Sequence, residues 1–127
     1  MRKVFVAGLA LCGMTMSCAA KADDVSGVDE FQRNCALCHG LDGRGVGPVS
    51  EKMTRPAADL TQIAKRNNGV FPFSKVAGTI SKGTDIAEHG PSRMPAWEKI
   101  FAADSDPVRA KAIIFEVTKY VETLQEK

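Results

Sequence analysis

The sequence predicts a small all-α domain of about four to five helices, and three observations carry that reading. Apolar residues recur at helical spacing in several stretches, no run alternates in the manner of a half-buried strand, and breaks such as Asn67-Asn68-Gly69 divide the helical stretches. At 127 residues the chain has room for one domain, and it contains no internal repeat, low-complexity tract or linker.

Ser26 is placed to cap the first helix, with Asp29 three residues on, and Val28, Phe31 and Cys35 then share one face. A short second helix is expected from Pro56 to about Arg66, where Asn67-Asn68-Gly69 halts it. The third runs from Phe73 to Lys82, with Val76, Ala77 and Ile80 as its buried stripe and Gly83 placed to end it. Asp106-Pro107 opens the last, a cap followed by a proline at the first helical position, and the pattern continues to about Gln125. Ile114, Val117, Val121 and Leu124 recur there at helical spacing, with Ile113 and Tyr120 beside them.

The chain's start has a different character. Arg2 and Lys3 precede a nearly unbroken apolar run from Val4 to Met16, and Ala20-Lys21-Ala22 has the small-x-small pattern cut by signal peptidases. Residues 1–22 are therefore expected to be a cleaved signal peptide, leaving 23–127 as the mature domain in the periplasm. A permanent membrane anchor is the weaker reading, because a spanning helix wants about 20 apolar residues. A lipid anchor at Cys18 is weaker still, since Thr15 stands where a larger aliphatic residue is usual.

Cleavage changes the electrostatic balance and the cysteine inventory. Arg2, Lys3 and Lys21 leave with the signal, so 14 basic residues face 15 acidic ones in the mature domain. The basic character of the whole chain thus belongs to the signal and gives no reason to expect a nucleic-acid partner or stable membrane insertion. Cys12 and Cys18 leave too. Cys35 and Cys38 remain, and a bridge between neighbours so close in sequence adds little stability.

The residue that follows supplies the chemical reason for the pair. Cys35-Ala36-Leu37-Cys38-His39 is the Cys-x-x-Cys-His pattern of covalent haem attachment. Three apart on a helix, the two thiols face the same way and can reach two vinyl groups of one porphyrin, while His39 turns an imidazole toward the iron. A thiol oxidoreductase would place this pair after a buried strand, which is missing here. A zinc site would need more ligands than His89 adds, and a simple disulfide leaves His39 unexplained.

The second axial position has three candidates in the mature chain: Met94, His89 and Met53. Met94 is favoured, because Pro95 stiffens the chain beside its sulfur and it stands 55 residues after His39, where a mid-chain loop can close over the ring. His89 lies in the turn-rich run Glu88-His89-Gly90-Pro91, and Met53 is only fourteen residues beyond His39. Trp97, three residues after Met94, is expected to pack near the cofactor. Glycines 40, 43 and 45 read as turns that bring the chain back after His39, since no strand or Gly-Lys-Ser/Thr element makes a phosphate loop of them.

With these residues the chain resembles the class I cytochromes c, from about Val25 to the C-terminus. Cys35, Cys38 and His39, Gly47-Pro48 and Met94-Pro95 match that family's motifs. The resemblance implies one haem c wrapped by the helices, with His39 and Met94 on the iron. It also implies that the Pro48 carbonyl accepts a hydrogen bond from the His39 ring. First and last helices should cross, bringing Gly27 and Phe31 against Tyr120. The implied activity is that of an electron carrier rather than an enzyme, passing single electrons between transient redox partners. An open sixth position would instead suit a peroxidase-like or gas-sensing protein, and a haem-bearing subunit of a larger oxidoreductase is a further alternative. Lys52, Lys75, Lys82 and Lys99 are read first as ordinary solvated surface, and second as a ring that steers an acidic partner. The few aromatic residues leave a modest core, so the haem is expected to supply its centre.

Overall fold

A computed structural model describes residues 24–84 and 94–126. The signal segment 1–22 and residues 85–93, His89 among them, lie outside the described residues. Helices and turns account for the regular structure, with no strand among the described residues. The expected all-α class is what the chain adopts.

Helix α1 covers residues 27–39 in three parts: Gly27–Glu30, a π-turn at Phe31–Cys35, and Ala36–His39. Ser26 caps it, its hydroxyl accepting from the Asp29 amide at 3.3 Å. Within the π-turn the Ala36 amide donates to the Phe31 carbonyl five residues back. Such a turn holds one extra residue, and it ends on Cys35, the first residue of the attachment motif. Of the expected face, Phe31 and Cys35 are buried while Val28 is 40 % exposed. Gly27 takes the place expected of Val28, since a Cβ there would lie 2.2 Å from the Glu116 carbonyl oxygen of the last helix. The two helices cross where one of them has no side chain.

Helix α2 joins a 3-10 turn, Leu60–Gln62, to Ile63–Arg66. It starts four residues later than the sequence suggested. The Asp59 carboxylate accepts from the Thr61 amide and hydroxyl, so Asp59 is the cap and residues 56–58 stay outside the helix. Helix α3, Phe73–Lys82, has the expected bounds and buries Ile80, with Val76 and Ala77 half-buried. Gly83 ends it at φ +72°.

Helix α4, Trp97–Asp104, was not foreseen. Its cap residue is Ala96, which contributes no side-chain bond, so the start carries no sequence signal. Trp97 stacks on the buried Phe101 with ring centroids 5.3 Å apart. Helix α5, Pro107–Thr123, is capped by Asp106, whose carboxylate accepts from the Val108 and Arg109 amides at 2.8 and 3.0 Å. It buries Ala110, Ile113, Ile114, Val117, Thr118 and Val121 and packs against α1, α3 and α4. Tyr120 and Phe31 meet edge to face with ring centroids 5.1 Å apart, as the resemblance implied. The helix stops two residues short of the expected end because Gln125 is used across the fold. Its side-chain amide donates to Leu60 O and accepts from Ala64 N, fastening the C-terminus to α2.

Candidate haem site

The last turn of α1 presents Cys35, Cys38 and His39 to one cavity of about 540 Å³. Aliphatic and aromatic groups from most of the fold complete its wall. Phe31 comes from α1, Leu60 and Ile63 from α2, Val76 and Ile80 from α3, Trp97 from α4, and Val117 and Val121 from α5. A volume of this size, mainly apolar with a few convergent polar groups, suits an organic cofactor.

The chain beyond His39 folds back so that the helix end is closed. Gly45 N donates to His39 O at 2.7 Å, Gly47 N to Cys38 O at 3.1 Å, and Val49 N to Leu37 O at 3.2 Å. These bonds satisfy carbonyls that a terminating helix would otherwise leave bare. Glycines 40, 43 and 45 turn the chain at positive φ, as expected of them.

This return path corrects the role expected of Pro48. It carries Pro48 to an exposed position away from the cavity wall, while the stretch from Arg55 to Ala58 comes back over the imidazole. His39 Nδ1 lies 2.9 Å from the Ala58 carbonyl oxygen. A carbonyl can only accept, so Nδ1 carries the proton and Nε2 keeps its lone pair for a metal. Burial holds the ring below the ordinary histidine pKa, although the Ala58 bond works against that shift. The ring is therefore neutral at pH 7 and already in its ligating tautomer.

Both thiols are free. Burial pushes the Cys35 thiol up to about 12, with Cys38 and Glu30 adding to the effect. The thiolate is the nucleophile in thiol exchange, so the buried Cys35 is poorly suited to be the attacking thiol. Among the described residues no three of His, Cys, Asp and Glu are grouped to hold a metal ion, as a zinc site would demand. Two thiols on one edge, a neutral imidazole with a free nitrogen and a large apolar cavity fit a covalently attached haem.

Met94 also lines this cavity, as does Met53. Of the four lysines named in the sequence, Lys75 alone reaches the cavity wall, where Arg55 and Arg66 join it. Sequence reasoning missed two contributors. Ala58 acts through a main-chain oxygen, which has no side-chain signature, and Thr84 was unremarked although it lines the cavity and bonds Met94.

An all-helical domain with a Cys-x-x-Cys-His turn opening into such a cavity is a c-type cytochrome. Residues 22–110 match the family described as cytochrome C oxidase, cbb3-type, subunit III, and the chain belongs to that family. Neither a curated protein nor a solved structure matches the chain. Family membership establishes haem c as the cofactor and haem-based electron transfer as the general activity. When bound, haem c supplies a one-electron iron couple. Cys35 and Cys38 are the residues that would hold the ring, the Ala58 carbonyl would keep the His39 imidazole oriented toward it, and the aliphatic wall would exclude water.

Proposed function

We propose that the domain is a one-electron carrier whose haem iron is ligated by His39 and Met94, exported by removal of residues 1–22 and working in the periplasm. The observation that carries this reading is that Met94 lines the same cavity as Cys35, Cys38 and His39. A thioether opposite an imidazole favours the ferrous state and need not leave when the iron changes oxidation state. Both features suit transfer between transient redox partners. No helix among the described residues is long and apolar enough to cross a membrane.

The test begins with protein purified from a host able to attach haem. Its ferric form is expected to show the weak near-infrared sulfur-to-iron band at neutral pH, and the ferrous form to bind carbon monoxide slowly. Loss of the band in Met94→Ala would complete the assignment. Absence of the band in wild type refutes it, and rapid carbon monoxide binding would favour an open, enzyme-like or gas-sensing site. The family's name favours one second reading, a haem-bearing subunit of an oxidase. Co-purification of the tagged chain with a membrane oxidase would distinguish it from a free carrier.

A further inference from the structure

Thr84, the second residue after α3, holds the main chain of Met94 from both sides. The Thr84 amide donates to Met94 O at 3.1 Å, and the Met94 amide donates to Thr84 Oγ1, also at 3.1 Å. Gly83 makes the approach possible. A Cβ at Gly83 would lie 2.5 Å from Met94 O and 2.8 Å from the Pro95 carbonyl carbon, and its φ of +72° is one that glycine accepts without strain. Pro95 has no amide hydrogen, so the chain just after Met94 cannot donate a bond of its own at that point. The position of Met94 along its segment therefore depends on Thr84, and both residues line the cofactor cavity.

From this we infer that Thr84 is the positioning residue for the axial thioether, its hydroxyl fixing the Met94 backbone so that the sulfur is kept on the ferric iron. The inference rests on Met94 being the ligand. Ferric iron is the sensitive state, since a soft thioether binds it less firmly than it binds ferrous iron. Thr84→Val keeps the shape and the backbone bond but removes the acceptor for Met94 N. Thr84→Ser retains it.

Imidazole added to the purified ferric holoprotein competes with Met94 for the iron, so its apparent Kd reads how tightly the methionine is held. Loss of one hydrogen bond that acts on the bound state is expected to lower that Kd about three- to tenfold in Thr84→Val and to weaken the near-infrared band. Thr84→Ser should behave as wild type. In a Met94→Ala background, the Thr84→Val change should no longer alter imidazole affinity, because the group it positions is gone. If Thr84→Val does not accumulate as holoprotein, Thr84→Ala removes the same acceptor and takes its place. An unchanged Kd with an intact band overturns the inference while leaving Met94 as ligand, as does an equal effect of Thr84→Val with and without Met94. Absence of the band in wild type overturns both together. A purely structural role would lower the thermal midpoint without shifting imidazole competition.

Discussion

Gly27→Ala sets two effects of opposite sign against each other. In a helix interior, replacing glycine by alanine gains about 0.5–1 kcal/mol, and less is available at the first position of a helix. Against it, the new Cβ would lie 2.2 Å from Glu116 O and 2.6 Å from Glu116 C. Both atoms belong to the backbone of α5, which cannot swing aside as a long side chain would. Overpacking of this kind costs about 1–3 kcal/mol, so the net expectation is a loss of about 1–2 kcal/mol. For a domain near 100 residues that is a fall in thermal midpoint of about 5–15 °C. Gly78→Ala is the matched control. It also lies within a helix, α3, but a Cβ there meets no atom within 4 Å. It should gain about 0.5–1 kcal/mol and raise the midpoint by a few degrees. Far-UV circular dichroism of the two holoproteins during heating measures both. A Gly27→Ala midpoint equal to or above that of wild type would refute the tight α1–α5 crossing and, with it, the account of how the haem-bearing helix is seated.

The site and the helix ends give three more expectations. Pro48→Ala should leave the midpoint potential in a redox titration unchanged, because the His39 ring bonds Ala58; a clear shift would restore Pro48 to the site. Replacing Cys35 and Cys38 together by alanine should abolish covalent haem, seen in the intact mass, and leave a chain without a cooperative thermal transition, since the cavity walled by Val117, Ile80 and Trp97 would stand open; native-like cooperative melting would contradict this. The Asp106 carboxyl is held below its usual range by the Arg109 and Val108 amides, so its contribution is present at neutral pH and fades as pH falls through the carboxylate range, from about 5 downward. Asp106→Asn preserves a capping side chain without the titration, and its stability should vary less with pH over that range in denaturant melts. An acid dependence identical to wild type would show that this cap does not contribute to it.

What could be read in advance was whatever the chain encodes locally. The attachment motif is five contiguous residues whose chemistry does not depend on the rest of the fold. Helix α5 has an Asp-Pro start and a regular apolar repeat, and both survive into the structure. Helix α4 lacks a capping side chain, so the sequence offers nothing at Ala96 to mark where it begins. For α2 the sequence marks the stop at Asn67-Asn68-Gly69 better than the start at Pro56, and Asp59 is the residue whose side chain satisfies the Thr61 amide. Those intervening residues are spent on the site instead, since residues 56–58 must stay outside the helix for Ala58 to turn its carbonyl to His39.

The same displacement explains why Pro48 looked suitable. A family motif assigns the acceptor by sequence pattern, but the function is performed by a main-chain oxygen, and any residue that can take the required path will serve. What fixes the path here lies far away in the chain. Leu60 N bonds Gly43 O, Arg66 Nη2 bonds Asp59 O, and Gln125 grips both Leu60 O and Ala64 N. Most of these bonds use main-chain atoms, which leave no side-chain signature in the sequence, and none of the partners adjoins His39. The orientation of the proximal ligand is thus a tertiary property built on a locally encoded motif, and substitutions at Gln125 should reach the His39 ring through the backbone between Ala58 and Leu60. Gln125→Ala is accordingly expected to weaken the Nδ1–Ala58 bond, make the imidazole a poorer donor to iron and raise the midpoint potential, whereas Gln125→Leu would do the same only if lost hydrogen bonds, rather than lost volume, loosen that segment. A redox titration in which both variants match wild type would confine Gln125 to a structural role.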